Sequence, residues 1–309
     1  MLRRYVCLLL LLTCLPAAAF VNDPLPFGVK VNGVENRYPV FGVFAMPEEV
    51  LHVELLDIGD GKPRARFDTV SLEVASGALR LKMPARPGTH LLEITDPEGK
   101  ATMRLNVFVM WRHPSDRRTV LNGYRIGEYP KQPFRGLSVY EAPTGFVEVT
   151  PSNAKLEVSP NFQLGQFVCK QSSGYPKYVV LRPELLQKLE LVLDALNRRD
   201  DRIRSLTVMS GYRTPHYNHT IGNGQYSRHV WGGAADVFVD ENGDGRMDDL
   251  NGDGRVNRAD SEWLSAFVDA MERRGEFGDQ LIGGIGTYDA NAAHGPFVHI
   301  DARGYQARW

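Results

Sequence analysis

Cysteine is almost missing: the 309-residue chain has three, Cys7, Cys14 and Cys169. The first two fall in a stretch that reads as a removable leader, so the mature chain keeps Cys169 alone and has no internal disulfide framework. Any staple has to come from elsewhere, and metal ions are the obvious source. Cys169, in the apolar string Phe167-Val168-Cys169, reads as a small buried hydrophobe rather than a nucleophile. Net charge is lacking too: 36 Lys and Arg face 37 Asp and Glu, a formal −1. Loss of Arg3 and Arg4 with the leader makes the remainder slightly more acidic, which argues against nucleic acid as a partner. Outside residues 6–15 there is no long apolar run, so the mature chain is not expected to span a membrane. With 43% hydrophobic and 24% charged residues, collagen, coiled coil and long disorder have no compositional support.

What is present begins with the leader. Residues 1–19 run from Arg3 and Arg4 through an apolar segment to Pro16-Ala17-Ala18-Ala19, the order of a secretory signal peptide. Leu11-Leu12-Thr13-Cys14 has the outline of a lipobox, but Thr13 fits poorly and the Ala-rich site beyond fits better. The mature protein is therefore expected in a periplasm or outside the cell.

Residues 24–110 are β-like. Val70-Leu72-Val74, Leu79-Leu81-Met83 and Met103-Leu105-Val107-Val109 repeat with period two, and Pro97-Glu98-Gly99 supplies a turn. The spacing predicts a small all-β, immunoglobulin-like sandwich with no catalytic cluster, a module for docking on the cell wall or for recruiting a partner protein. Residues 111–154 are rich in Pro and Gly and read as a linker that wraps its neighbour. From 155 to 309 the pattern is mixed. Pro183 opens a helix with the stripe Leu185, Leu186, Leu189, Val192, Leu193 and Leu196. Residues 206–209, 234–239 and 297–302 read as strands, and Asp260 or Ser261 as the cap of a helix bearing Trp263, Phe267, Val268 and Met271. The fold class is α+β.

Five of the eight histidines, His216, His219, His229, His294 and His299, lie in this last segment beside polar or Gly-rich turns. His229 precedes Gly232-Gly233, and Asp236 enters the following strand. In Phe297-Val298-His299-Ile300-Asp301, period two places Phe297, His299 and Asp301 on one face. Two imidazoles and one carboxylate make a catalytic zinc set with a fourth position open to water, whereas a structural site would be closed by four ligands, often cysteines.

Ser210-Gly211-Tyr212-Arg213-Thr214-Pro215, the block 227–236, Gly283-Gly284-Ile285-Gly286-Thr287-Tyr288 and Phe297-Val298-His299-Ile300-Asp301 together resemble the zinc D-Ala-D-Ala metallopeptidases, the peptidase M15-like family. The nearest likeness is to the branch of periplasmic murein endopeptidases, which cut peptide cross-links of peptidoglycan and share the Hedgehog/DD-peptidase-like fold. The resemblance covers about 155–309 and does not reach the sandwich. It implies that His229, Asp236 and His299 hold zinc and that Arg213 engages a substrate carboxylate or carbonyl. A guanidinium fork suits a peptide-stem carboxylate, and a cation beside zinc stabilises an oxyanion; an ion pair is the bland reading of Arg213. The general base departs from the family pattern. Relatives carry Glu three residues before the last ligand, where this chain has Pro296, or His two before it, where it has Phe297. His294 is the expected proton carrier, and Asp301 either orients a ligand or replaces His294 as base. His216 and Asn218 either line the cleft or stabilise a turn.

An insertion at 240–260 carries a second metal signal. Asp249, Asn251, Asp253, Arg255 through its carbonyl, Asn257 and Asp260 take the positions of an EF-hand or dockerin calcium loop, with Gly254 at the sharp turn. Asp240, Asn242, Asp244 and Asp248 begin a second loop whose twelfth position, Asn251, the first already uses. One structural calcium site is expected, and a solvated acidic loop is the alternative.

The leading expectation is an exported zinc peptidase acting on murein peptide stems or cross-bridges through a zinc-activated water. A D-Ala-D-Ala carboxypeptidase is the first alternative, and a non-catalytic, zinc-stabilised wall-binding module the second.

Overall fold

The computed structural model describes residues 20, 23–113 and 119–309. The leader and its lipobox-like string lie outside the described residues. Among those described, no helix is long and apolar enough to cross a membrane.

The amino-terminal unit is nine strands: β1 (Gly28–Val31), β2 (Val34–Asn36), β3 (Val40–Ala45), β4 (Val50–Leu56), β5 (Arg64–Phe67), β6 (Val70–Leu72), β7 (Ala78–Lys82), β8 (Gly88–Thr95) and β9 (Thr102–Val109). They form two sheets, ordered β2-β1-β4-β7 and β3-β9-β8-β5-β6. All pairings are antiparallel except β3 with β9. In β4, Leu51, Val53 and Leu55 are buried while Val50, His52 and Glu54 face out; this period-two division gives each sheet one apolar face. Leu79 and Leu81 of β7 and Met103, Leu105 and Val107 of β9 enter the same core. β6 departs from that pattern: it pairs only with β5 at a sheet edge, and Val70 is 60% exposed. Alternation alone does not bury both faces of a strand at a sheet edge: Leu72 packs on the core while Val70 faces out.

The segment expected to be a linker is built into the fold. Trp111–Arg112, Gly145–Val149 and Lys177–Val179 make a three-stranded antiparallel sheet, and Leu121, Tyr124 and Ile126 are buried. Tyr129 and Tyr140 place their rings edge-on to Trp231, with centroids 5.8 and 5.2 Å away. The segment thereby clamps the turn that carries His229. The amino-terminal unit is tied down as well: the Asn106 side chain donates to the Glu157 carbonyl at 2.8 Å, and Gln187 donates to the Glu35 carbonyl.

The carboxy-terminal unit comprises α1 (Pro183–Arg199), β10 (Thr207–Ser210), α2 (Pro215–Thr220), β11 (Ala234–Phe238), α3 (Arg258–Arg273), β12 (Gly284–Tyr288), β13 (Phe297–Asp301) and β14 (Ala307–Arg308). Its sheet is ordered β10-β11-β13-β12-β14, and only β12 with β14 is parallel. The apolar stripe of α1 is fully buried, and so is Lys188, whose ammonium donates to the Asp301 carbonyl at 3.0 Å. α3 starts earlier than its expected cap at Asp260 or Ser261: Asn257 caps it, accepting from Ala259 N–H, while Asp260 reaches back to Asn257 N–H. That reciprocal pair satisfies two orphan donors at once, which outcompetes a later start. The chain is a mixed α and β protein, mostly sheet with few helices.

Candidate metal centre

The sheet register draws the site as a row. Ser210 of β10 pairs with Asp236 of β11, Asp236 with His299 of β13, and His299 with Gly286 of β12. His229 joins from the 3-10 turn 228–231, whose following residue, Gly232, is left-handed at φ +63. A β-carbon at 232 would overlap the Val180 carbonyl, so only glycine lets the turn close against that backbone.

Three atoms meet at the row's centre. His229 Nε2 lies 3.1 Å from Asp236 Oδ1 and 3.1 Å from His299 Nδ1, and His299 Nδ1 lies 3.0 Å from Asp236 Oδ1. Each imidazole has its other nitrogen committed: His229 Nδ1–H donates to the Gly211 carbonyl at 2.7 Å, and His299 Nε2–H to Asp301 Oδ2 at 2.9 Å. Those bonds fix the tautomers so that two nitrogen lone pairs and a carboxylate oxygen face one point. A cation satisfies such an arrangement, and neutral groups alone do not. Tetrahedral zinc with bonds of about 2.0–2.1 Å separates its ligand atoms by about 3.3 Å, close to the separations found. Among the described residues this is the one such group of three or more, and no fourth His, Cys, Asp or Glu joins it. The donor set therefore fits a zinc ion with an open position.

The electrostatics follow the same contacts. Burial opposes ionisation of Asp236, yet His229 and His299 hold its carboxyl well below the usual carboxylate range. Burial pushes His229 down, while for His299 hydrogen bonds to Asp236 and Asp301 outweigh burial and raise it. Asp301 is completely buried and accepts from His299, from Arg303 on both oxygens, and from Gly284 N–H at 2.9 Å. Of the two roles open to Asp301, this surrounding matches orienting a ligand: both oxygens are taken. Arg213 donates to Asp236 Oδ2 and, through Nε, to Ser210 Oγ at 2.9 Å. It sits beside the metal ligands and holds the carboxylate oxygen not aimed at the centre.

All three ligands, Arg213 and His294 line one cleft of about 1370 Å³. His294 donates from Nδ1 to the Gly295 carbonyl at 2.8 Å and accepts at Nε2 from the Asn291 amide at 2.7 Å, its ring edge-on to Phe297. Its ring lies at the cleft wall. His216 and His219 lie on α2 and do not line the cleft. Asn218 caps the turn below it, donating to the Asn223 and Gly224 carbonyls.

Residues 160–251 match the family model Peptidase M15. Over those residues the chain is similar to the M15 peptidases, and its His229, Asp236 and His299 could hold a metal ion. The match takes in Arg213, His229 and Asp236, and His299 lies beyond it. No curated protein and no solved structure matches the chain.

The insertion of the M15-like domain is ordered by its own backbone. Asp249 accepts from Gly252, Asp253 and Gly254 N–H, Asn251 from Asp253 N–H, Asp253 from Arg255 N–H, and Asp260 from Leu250, Asn251 and Asn257 N–H. Asp240 repeats the pattern with Asp244 and Gly245. These carboxylates do not gather into a second three-residue group like that of His229, Asp236 and His299.

Sequence reasoning missed three contributors to the M15-like site. Arg303 braces Asp301, Ser210 braces Arg213, and Trp309 lays its indole 5.0 Å, centroid to centroid, from the His299 ring. The signal for Trp309 was in the spacing of Gly284 and Gly286: a β-carbon at 286 would run into the indole, and one at 284 would meet Asp301 Oδ2 first. That spacing was visible as a motif, but its cause lay 23 residues further on.

Proposed function

We propose that the chain is an exported zinc metallopeptidase that hydrolyses amide bonds in the peptide cross-links of peptidoglycan. The observation that carries this reading is the convergence of two imidazole lone pairs and one carboxylate oxygen in the cleft of an M15-like domain. Zinc held by His229, Asp236 and His299 supplies a Lewis acid and a water of lowered pKa at neutral pH.

The chain's own residues divide the remaining work. Gly211 and Asp301 hold the two imidazoles in their ligating tautomers, and Asp301 acts as a positioning residue rather than a base. Arg213 holds the outer oxygen of Asp236 and offers its remaining N–H donors to a carbonyl or carboxylate of the peptide. His294 carries the proton between attacking water and leaving amine, giving up the Asn291 bond when Nε2 takes it. Calcium in the 249–260 loop is the structural staple that replaces disulfides, and its loop adjoins the strand bearing Asp236. The carboxy-terminal domain is Hedgehog/DD-peptidase-like, and the amino-terminal unit is an immunoglobulin-like sandwich that docks on the wall or on a protein partner. The leader directs the chain to a periplasm or to the outside, where peptide stems are its substrate and nucleic acid is not.

The cleft position of Arg213 favours one second reading, a carboxypeptidase whose terminal substrate carboxylate pairs with that guanidinium. Two soluble muropeptides, a cross-linked dimer and an uncross-linked pentapeptide, separate the two. Cleavage of the dimer with the pentapeptide spared supports the endopeptidase, and loss of terminal D-Ala alone supports the carboxypeptidase. His294→Gln is expected to keep zinc and lose most turnover, and full activity in that variant removes His294 from the mechanism. A zinc-loaded protein that binds both muropeptides and cuts neither is a wall-binding module.

A further inference from the structure

One wall of the cleft is a ladder of rings. From the metal ligand His299 it passes to Trp309, whose Nε1–H donates to Tyr288 Oη at 2.7 Å. Tyr288 stacks on Phe297 at 4.5 Å with an interplanar angle of 8°, and Phe297 meets the edge of His294. All five line the cleft. Trp309 is nevertheless 49% exposed. Part of the residue therefore stays open toward the cleft, where apolar surface of a bound molecule can be taken out of water.

The indole is also fixed rather than loose. Its backbone accepts from Thr287 N–H at 2.9 Å, and Arg303 lies 5.4 Å over the ring. Gly284 and Gly286 leave the hollow in which it lies: a β-carbon at 286 would come 2.5 Å from Nε1. The row that sets the metal ligands thus continues, through Gly286, into a rigid apolar platform beside them.

We infer that Trp309 is a substrate-contact residue that determines specificity: the peptide residue flanking the scissile amide packs an aliphatic side chain on its open face. This rests on reading the cleft as a peptidase site. The metal ligands are one neighbour of the indole, so a substrate amide at the centre brings its flanking residue within reach of the ring. A platform of this kind rewards each methyl group taken out of water by about four-fold in binding.

The test uses three soluble peptides that differ only in Gly, Ala or Val at the flanking position, with wild type, Trp309→Ala and Gly286→Ala, all assayed for zinc content. Wild type is expected to prefer Ala over Gly by about four-fold in kcat/KM. Trp309→Ala is expected to flatten that preference among the three peptides, whatever its absolute rate on the Gly peptide. Gly286→Ala keeps the tryptophan but displaces it, and is expected to flatten the preference too, so the test survives if Trp309→Ala fails to fold. A preference that persists in both variants, or a wild type that does not discriminate, overturns the inference. If wild type turns over none of the three, the peptidase reading has failed, and calorimetric binding of the same peptides decides the platform. Graded binding that Gly286→Ala abolishes upholds it, and ungraded or absent binding overturns it.

Discussion

Asp301→Asn is the substitution whose consequences the geometry dictates most fully. The side chain keeps its shape, but its amide nitrogen must occupy one of two oxygen positions. Oδ1 receives Gly284 N–H and Arg303 Nε–H, each at 2.8–2.9 Å, and Oδ2 receives His299 Nε2–H at 2.9 Å and Arg303. An NH2 at the first position sets donor against donor at two bonds. At the second it forces His299 to give up its Nε2 proton, which moves to Nδ1 and removes the lone pair aimed at the metal. Either way the Arg303 cation loses the carboxylate that its three hydrogen bonds serve. Breaking one partner of a buried pair costs about 3–5 kcal/mol, and Arg303 is only 14% exposed, so a value near the lower end applies. At roughly 2–4 °C per kcal/mol the midpoint of thermal unfolding falls by about 6–12 °C. Loss of a ligand-orienting carboxylate lowers metal affinity by about 10–100-fold. Competition with a chromophoric chelator measures the affinity, and scanning calorimetry of zinc-loaded and zinc-free protein measures the stability. Zinc affinity within two-fold of wild type would refute the tautomer argument, whatever happens to stability.

Gly232→Ala combines a left-handed backbone with a clash against the Val180 carbonyl, and should cost about 2–4 kcal/mol and release zinc by moving His229; Gly222→Ala, left-handed but in open space, should cost only about 1 kcal/mol by urea unfolding. Glu272, although largely buried, is held below its ordinary value of 4.5 by Arg308 and Lys188. Its folded pKa is therefore lower than its unfolded one, so its stabilisation is present above about pH 4.5 and is lost as pH falls below it. Urea midpoints of Glu272→Gln should be lower than wild type at pH 7 and converge with it near pH 3; a constant gap contradicts this assignment. One millimolar calcium is expected to raise unfolding free energy by about 3 kcal/mol if the 249–260 loop binds at about 10 μM, and Asp249→Ala should abolish the rise. No calcium effect in wild type removes the ion from the account.

Much of the metal centre was legible because its signals are local. His229-x6-Asp236 and His299-x-Asp301 sit at strand and turn positions where period two and paired glycines report side-chain direction, and the α1 stripe Leu185–Leu196 is a plain helical repeat. The braces were not legible. Arg303, Ser210 and Lys188 act through contacts made only when separate strands and helices meet, and Lys188 has no local mark that distinguishes it from an exposed helical lysine. The strands within the wrapping segment 111–154 were hidden for the same reason: Gly145–Val149 becomes a strand by pairing with residues more than 25 positions away. Proline density reported irregular backbone there and not whether that backbone was paired. The edge strand at Val70 is the converse case, a local pattern of which only Leu72 and Val74 reach the core.

The central claim is zinc-dependent hydrolysis of peptidoglycan cross-links. It is tested most directly by incubating the mature protein with intact cross-linked peptidoglycan, zinc-loaded and chelator-treated in parallel, and identifying released muropeptides by mass. The account predicts loss of cross-linked dimers with a matching gain of monomers in the zinc-loaded sample alone. Dimers that persist in both samples, with zinc bound in the first, would contradict it.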